Sequence, residues 1–343
     1  MMRLPLSWLL AFTTAALALL LLGSLATGPM TLTLGESLRA LFAGQESGIE
    51  SHKLLIVQEI RLPRTLLCIA VGGILGLCGA VMQGLFRNPL ADPGIIGVSG
   101  GAALGAALAI VLLAPLGQQL QATIGVGLLP LLAFLGGALT TTLVYLLGTR
   151  EGGTSVTVML LAGVAITALS GAVIGLLTYL ADDQMLRNLS LWQMGTLAAG
   201  KPADVALALL TLAALLWLFM RDANPLNALL LGEGEARHLG VNVQSLKRRL
   251  ILLTAAGVGV AVAVSGMIGF VGLVVPHLVR LLAGPNHVRL LPLSALLGAA
   301  LLLAADMLAR ILLAPAELPV GIITALLGAP FFIWLLVKGR RAL

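Results

Sequence analysis

Long apolar runs separated by short polar segments make up most of this 343-residue chain. A bilayer core about 30 Å thick is crossed by roughly 20 helical residues, and a single segment in lipid satisfies its own backbone only as a helix. We therefore predict an all-α polytopic membrane protein that forms one transmembrane domain over residues 1–343. The predicted spans number about ten and cover residues 6–26, 65–85, 94–114, 124–147, 154–179, 203–220, 250–268, 271–284, 290–309 and 319–337.

Two features of this pattern are ambiguous. Only the 30 residues between Arg249 and Arg280 are available for the seventh and eighth spans, so we expect the eighth to be short or broken around Gly269, Gly272 and Pro276. The first apolar run resembles a secretory signal but is longer than a usual signal core. We take it as an uncleaved first span.

Small residues recur at four-residue spacing inside two predicted spans. The two sets are Gly72, Gly76, Ala80 and Gly84, and Gly97, Gly101 and Gly105. Because small residues let helices approach closely in lipid, we predict a tightly packed bundle.

Two blocks of the chain each hold four predicted spans, residues 61–180 and 247–337. The first block opens with RLPR and the second with KRRL, and the span count makes the two blocks enter the membrane from opposite sides. Entry from opposite sides is what an inverted repeat requires. In such a repeat, spans two to five would correspond to spans seven to ten.

Charge supports membrane topology and does not indicate nucleic-acid binding. Charged residues make up 10% of the chain and hydrophobic residues 59%, whereas soluble domains carry about 25% charged residues. The net charge of +6 comes from basic residues scattered between apolar runs. With the N-terminus in the cytoplasm, thirteen of the 20 lysines and arginines lie inside. The positive-inside rule favours this orientation, in which both termini are cytoplasmic.

One polar segment, Arg221 to Arg249, carries eight of the chain's 34 formal charges. We predict a short helix within it that ends at Gly240, because a left-handed residue after a helix is favourable mainly for glycine. Its polar positions are Glu233, Glu235, Arg237 and His238, and a small apolar stripe is formed by Leu231, Ala236 and Leu239. A solvated loop that only joins two spans is the alternative.

Arg61, Arg64 and Arg310 fall at span ends on the predicted outer face. Arginines at such positions can extend along apolar surface to reach water, or they can bind carboxylates of a partner. Asp306 is the one carboxylate well inside an apolar run. An intramembrane acid is a functional candidate, but Asp306 lies four residues before Arg310 and favours an i,i+4 ion pair near the outer surface.

The sequence gives little support for a catalytic or metal site. Residues 97–101 match G-x-S-x-G around Ser99, but a serine hydrolase needs a histidine base, and all four histidines lie in loops or at span ends. Neither a Walker loop nor H-E-x-x-H occurs. Cys68 and Cys78 are about 15 Å apart along a helix, too far for a disulfide. We predict no catalytic residue, no metal site and no cofactor on this chain.

Three fragments of the sequence together resemble one known family. They are RLPRTLLCIAVGGILGLCGAVMQGLFRNPLADPGIIGVSGGAALG (61–105), GMIGFVGLVVPHLVRLLAG (266–284) and ELPVGIITALLGAPFFIWLLVKGRR (317–341). With LLGEGEARHLGVNV between them, they look like the FecCD-type permeases, the membrane subunits of type II ABC importers for vitamin B12, ferric siderophores and haem.

The resemblance implies a ten-helix permease of the bacterial inner membrane that works as a homodimer. Two cytoplasmic ATPase subunits, which bind ATP and Mg²⁺, and a periplasmic substrate-binding protein are the implied partners. The positions that resemble the family's ATPase-coupling segment are Leu231, Gly232, Glu233, Glu235, Ala236, Leu239 and Gly240. Those that resemble its docking arginines are Arg61, Arg64 and Arg310, and those that resemble its cytoplasmic gate are Asn88, Leu90, Thr154 and Ser155.

The resemblance is least specific about the cargo. Residues 179–200 look most like the haem-importing branch, with ferric siderophores second and cobalamin as a further alternative; no residue indicates a haem ligand. Outside the family, an ion-coupled secondary transporter is the main rival, and an intramembrane enzyme built on Ser99 is another. The main departure from the family pattern is a long outer segment, residues 31–59.

Overall fold

The fold, seen in a computed structural model, is described for residues 5–42, 50–114, 116, 119, 127–150, 153–198 and 200–340. Arg3 and Arg341, two of the thirteen basic residues assigned to the cytoplasm, lie outside these ranges, as do residues 124–126 of the fourth predicted span. Apart from a 3-10 turn at Pro93–Ile96, the described helices are α1 (Leu6–Ala26), α2 (Leu34–Phe42), α3 (Ser51–Leu85), α4 (Val98–Leu112), α5 (Leu128–Gly148), α6 (Val156–Leu180), α7 (Asp183–Gln193), α8 (Pro202–Arg221), α9 (Ala223–Leu230), α10 (Glu233–His238), α11 (Val243–Ser265), α12 (Val271–Ala283), α13 (His287–Ile311) and α14 (Val320–Arg340).

Seven of these helices are long and apolar enough to cross a membrane, namely α1, α3, α5, α6, α8, α11 and α13. Three further apolar helices in the described part of the chain are shorter: α4, α12 and the Val320–Leu335 part of α14. Each of the ten predicted spans overlaps one of these helices. The all-α polytopic class is thereby confirmed.

The predicted start of the second span, residue 65, is wrong. Helix α3 begins at Ser51, well before residue 65, and passes through a π-helical turn at Ile56–Arg61. Charged side chains interrupt the apolar run there without ending the helix, and some of them have partners elsewhere in the chain. Lys53, for example, pairs with Glu36 of α2 at 2.9 Å. Hydrogen bonds from Lys53 and then Thr33 lower the pKa of Glu36 to about 2, which keeps its carboxylate ionised.

The break between α11 and α12 covers residues 266–270, so it includes Gly269 but ends before Gly272 and Pro276. Helix α11 ends at Ser265, and Gly266 follows with φ +69°. Phe270, with φ +67°, then precedes α12, which has only 13 residues. The prediction of a short eighth span is confirmed, although Pro276 is accommodated inside the helix.

Helix α3 lies at the centre of the bundle and packs against α8, α11, α12 and α13. In its most apolar 18-residue window 89% of residues are buried, against 17% for α1 and for α6. A Cβ on Gly76 would clash with the backbone oxygen of Ser294 in α13, and a Cβ on Gly105 with that of Leu132 in α5. The predicted close approach of helices along small residues is confirmed.

The two blocks of the chain share one asymmetry. Each contains four apolar helices, α3 to α6 and α11 to α14, and in each the second helix is a short one that follows a link without α-helix. Short or interrupted helices at matching positions are what a repeat of inverted topology produces. The symmetry relation itself stays a prediction.

A small hairpin joins α5 to α6. Its strands are β1 (Thr149–Arg150) and β2 (Gly153–Thr154), which pair antiparallel with Thr149 opposite Thr154. The two threonine hydroxyls lie 3.1 Å apart. The hairpin ends where Ser155 begins α6, so it places Ser155 at the same end of the bundle as the start of α11.

Candidate functional site

The polar residues singled out in the sequence separate onto two opposite ends of the bundle. Helix α3 runs from Arg61 and Arg64 at one end to Leu85 near the other, and α13 runs antiparallel to it from His287 to Arg310. We call the first the arginine end, defined by Arg61, Arg64 and Arg310. The other, defined by residues 221–249, is the coupling end.

A buried ion-pair cluster forms the centre of the arginine end. Asp306, with no exposed surface, accepts hydrogen bonds from Arg64 Nε at 3.0 Å and from Arg310 Nε at 2.8 Å, one on each carboxylate oxygen. Arg64 Nη1 also lies 2.6 Å from Oε2 of Glu317. The predicted i,i+4 pair between Asp306 and Arg310 is confirmed. Its second arginine lies 242 positions earlier in the sequence and was not foreseen.

The other hydrogen bonds of the arginines are to backbone oxygens at the end of α1 and just after it, including that of Met30. Arg61 Nη1 donates to the backbone oxygens of Leu25 at 2.7 Å and Ala26 at 2.9 Å, and Arg310 Nη1 donates to that of Ser24 at 3.2 Å. The last carbonyls of a helix have no partner within the helix and carry its negative dipole end. Two guanidinium groups therefore cap the C-terminus of α1.

These contacts decide between the two interpretations of the arginines only in part. The side chains of Arg61, Arg64 and Arg310 are 4%, 5% and 2% exposed, and their charged groups bond to protein atoms. Extension along an apolar surface into water is thus the wrong interpretation. Docking of a partner stays a prediction, and a cavity of about 210 Å³ bordered by the three arginines and Glu317 lies beside the cluster.

At the coupling end, the polar segment folds as two short helices, α9 and α10, between the long helices α8 and α11. Gly240, with φ +83°, follows Leu239, the C-terminal cap of α10, so the predicted stop is confirmed. The predicted apolar stripe is wrong in one member. Leu231 and Leu239 are 68% and 63% exposed, whereas Ala236 is fully buried against the bundle. Because Ala236 faces inward, α10 is fixed to the protein and leaves two leucines free to contact a partner.

Lys247 connects this segment to the hairpin. Its ammonium lies 2.6 Å from Oε1 of Glu233 in α10 and donates to the backbone oxygen of Thr154 in β2 at 3.1 Å. Gln244 accepts from the backbone nitrogen of Thr154 at 3.1 Å. With Lys247 only 2% exposed, the first turns of α11 hold the hairpin on one side and α10 on the other.

Two more contacts fasten the coupling segment. Asp222, after α8, accepts from Arg249 Nε at 2.8 Å. Asn227 of α9 accepts from the backbone nitrogen of His287 at 2.8 Å, which ties α9 to the start of α13. Sequence reasoning missed Lys247, Asp222 and Asn227 as connecting residues. Only the charge of Lys247 and Asp222 gave a signal, and the partners could not be read from it.

The predicted gate residues all lie at the coupling end, in two loops. Asn88 forms a tight turn after α3, where its Oδ1 accepts from the backbone nitrogen of Leu90 at 2.9 Å, and both residues are exposed. Thr154 is 6% exposed, and Ser155 caps α6 through a hydrogen bond from the backbone nitrogen of Val158 at 3.5 Å. These hydrogen bonds explain the turn at Asn88 and the start of α6 at Ser155. The gating role of the four residues stays a prediction.

Comparison with known proteins gives a consistent result. The model of the FecCD transport family matches residues 16–338. The hemin transport system permease protein HmuU of Yersinia pestis is 47% identical over 97% of this chain and 96% of its own length. The cobalamin import system permease protein BtuC of Halobacterium salinarum is 44% identical over 87% of this chain and 77% of its own length.

A solved structure shows the same architecture. A metal-chelate type ABC transporter, seen in an inward-facing conformation, superposes with a TM-score of 0.82 at 34% sequence identity. The superposition covers 97% of this chain and 99% of the other. Since the family model spans nearly the whole sequence, the chain belongs to the FecCD transport family.

Proposed function

We propose that this chain is the permease of an ATP-driven importer that carries haem along the axis of a homodimer. Two cytoplasmic ATPase subunits bind at the coupling end, and a periplasmic binding protein docks at the arginine end. ATP and Mg²⁺ belong to the ATPase, and this chain itself binds no cofactor. Family membership and the 47% identity to a permease named for hemin transport support this proposal.

The observation that carries the proposal is the connection through Lys247. In the proposed mechanism the exposed leucines Leu231 and Leu239 seat on the ATPase, with the other coupling positions Gly232, Glu233, Glu235, Ala236 and Gly240 around them. When ATP closes the ATPase pair, α10 moves with it. Because Lys247 bonds to both Glu233 and Thr154, the hairpin follows that movement.

The hairpin movement acts on the proposed gate. The gate closes the cytoplasmic end of the translocation pathway and is formed by Asn88, Leu90, Thr154 and Ser155. A bundle with two discrete packings can then open to one side or the other as the ATPase cycles. The binding protein supplies affinity for the cargo, so the permease needs few charged side chains along its path.

At the arginine end, Arg61, Arg64 and Arg310 receive acidic side chains of the binding protein. In the part of the chain that the structure describes, three guanidinium groups face two carboxylates there, Asp306 and Glu317, so the cluster keeps a net positive charge. This orientation places the arginine end in the periplasm and both termini in the cytoplasm. Labelling of single cysteines introduced at Asp183 and at Arg237 with a membrane-impermeant reagent tests it: only the first reacts in intact cells.

Haem is the proposed cargo, and a ferric siderophore or cobalamin is the alternative within the family. Residues 179–200, which contain α7, resemble the haem branch, but relatives named for cobalamin import are 42–44% identical. We expect hemin, bound to the binding protein encoded beside this permease, to stimulate ATP hydrolysis by the whole complex in lipid discs. If cobalamin or a ferric siderophore stimulated hydrolysis and hemin did not, the stimulating compound and not haem would be the cargo.

A second preparation, the permease alone in proteoliposomes, separates the proposal from an ion-coupled secondary transporter. Among the described residues, the buried acid Asp306 is neutralised by two arginines at one end of the bundle, which leaves it poorly placed to bind a coupling ion. Proteoliposomes with the permease alone and an imposed proton or sodium gradient should accumulate no cargo. Accumulation without the ATPase would overturn the importer proposal.

A further inference from the structure

Arg64 binds two carboxylates that differ sharply in accessibility. Asp306 is fully buried and is held by two arginines on both of its oxygens. Glu317 keeps 33% of its side chain exposed and meets Arg64 through a single oxygen, Oε2. Of the two ion pairs, only the one to Glu317 can be exchanged from solvent without opening the core.

Nothing else in the described contacts holds the Glu317 side chain in place. It belongs to the link between α13 and α14, where residues 311–317 are all exposed. The nearest backbone anchor is the hydrogen bond from Leu318 N to the oxygen of Ala309 at 3.1 Å. Rotation of the Glu317 side chain into water therefore breaks one ion pair and no other described contact.

The space beside this ion pair favours an anion. The cavity of about 210 Å³ is bordered by Arg61, Arg64, Arg310 and Glu317, and its other walls come from the chain after α1 and from α3. Arg61 is bonded to backbone oxygens only, so its charge has no carboxylate partner among the described residues. A carboxylate that enters this cavity reaches Arg64 by taking the position of Glu317.

We propose that Glu317 is an internal competitor, which occupies Arg64 until an acidic side chain of the binding protein enters the cavity and displaces it. The proposal rests on the docking role assigned above to the arginine end. Docking then exchanges one Arg64–carboxylate ion pair for another, so it gains less free energy at this position than it would if Arg64 were unpaired. The exchange keeps the complex reversible and prevents Arg64 from holding other anions.

The test measures the affinity of the purified binding protein for the permease–ATPase complex in lipid discs. The variants are E317Q, R64Q and the double variant, with E59Q as the control because Glu59 is an exposed carboxylate of α3 that contacts none of the arginines in the described structure. We expect E317Q to tighten docking about two- to fivefold, the range of a partly exposed ion pair. E59Q should change it less, and R64Q should weaken docking.

The double variant decides the mechanism. If Glu317 acts by competing for Arg64, E317Q has no effect once Arg64 is glutamine, since the coupling between the two positions is the whole effect. Unchanged or weaker docking of E317Q, with R64Q still weakened, would overturn the competitor proposal and leave the docking role intact. Docking that neither R64Q nor E317Q changes would overturn the docking role itself. Should R64Q fail to fold, the contrast between E317Q and E59Q still decides.

Discussion

Lys247 donates to the backbone oxygen of Thr154 at 3.1 Å, although the two residues are 93 positions apart. The same ammonium is paired with Glu233 at 2.6 Å. A single buried side chain therefore joins the surface proposed to meet the ATPase to the hairpin proposed to gate the pathway. In the proposed mechanism these hydrogen bonds transmit the movement of α10 to the hairpin.

The first prediction is that K247M uncouples ATP hydrolysis from transport. Methionine keeps the length of the side chain but removes both hydrogen bonds, each worth about 1.5–3 kcal/mol when one partner is charged. Glu233 is partly exposed and can be solvated, so the protein should still fold and bind the ATPase. Cargo transported per ATP hydrolysed in proteoliposomes should fall about tenfold or more.

R248M is the matched control for K247M. Arg248 is the next residue of α11, is exposed and forms no ion pair in the described structure. It should leave the ratio of transport to hydrolysis unchanged. A K247M complex with the same ratio as R248M would show that the Lys247 contact does not transmit the movement.

The spans were predictable from the sequence because the thickness of a bilayer fixes how long an apolar run must be. The same reasoning placed the start of α3 too late, since Lys53 and Arg61 interrupt the run without ending the helix. The pair Asp306–Arg310 could be read from its spacing of four residues. The bonds of Arg64 to Asp306 and of Lys247 to Thr154 join distant segments, and a single sequence without covariation holds no record of them.

Burial was also beyond the sequence at both candidate sites. We expected the three arginines of the arginine end to face a partner. Their guanidinium groups bond instead to carbonyl oxygens at the end of α1 and to carboxylates of the same chain. The charge and spacing of Arg61 and Arg64 are the same whether their guanidinium groups point outward or inward. Likewise, the spacing of Leu231, Ala236 and Leu239 does not predict that Ala236 alone is buried against the bundle.

The second prediction concerns Asp306. In D306N both Arg64 and Arg310 lose a buried counter-charge, and breaking a buried pair in this way costs about 3–5 kcal/mol. We expect a markedly lower unfolding temperature of the purified permease. D183N, which changes an exposed aspartate at the start of α7, is the control and should unfold like the wild type. Equal stability of D306N and D183N would contradict a structural role for the cluster.

The third prediction addresses the ATPase surface. L231S with L239S removes two exposed apolar side chains, each worth about 1.5–3 kcal/mol if fully buried by a partner. Capture of the ATPase by the permease in lipid discs should weaken at least tenfold while the unfolding temperature stays the same. Deletion of Glu233–Gly240 should abolish capture.

L313S provides the control for the leucine variants. Leu313 is 58% exposed but lies in the link between α13 and α14, at the opposite end from α10. It should not affect capture of the ATPase. If L231S with L239S captured the ATPase as well as L313S does, the coupling surface would have to lie elsewhere.

The last prediction tests the close packing of α3 on α13. In G76A the new methyl group would press on the backbone oxygen of Ser294, and neither backbone can yield without shifting a helix. Overpacking of this kind costs about 1–3 kcal/mol. G171A makes the same change in α6, where a Cβ meets nothing within 4 Å, and there alanine should be neutral or better by up to about 1 kcal/mol. Thermal unfolding in detergent compares the two variants, which both replace a helical glycine in an apolar span. A G76A protein as stable as G171A would mean that α3 and α13 lie further apart than in this structure.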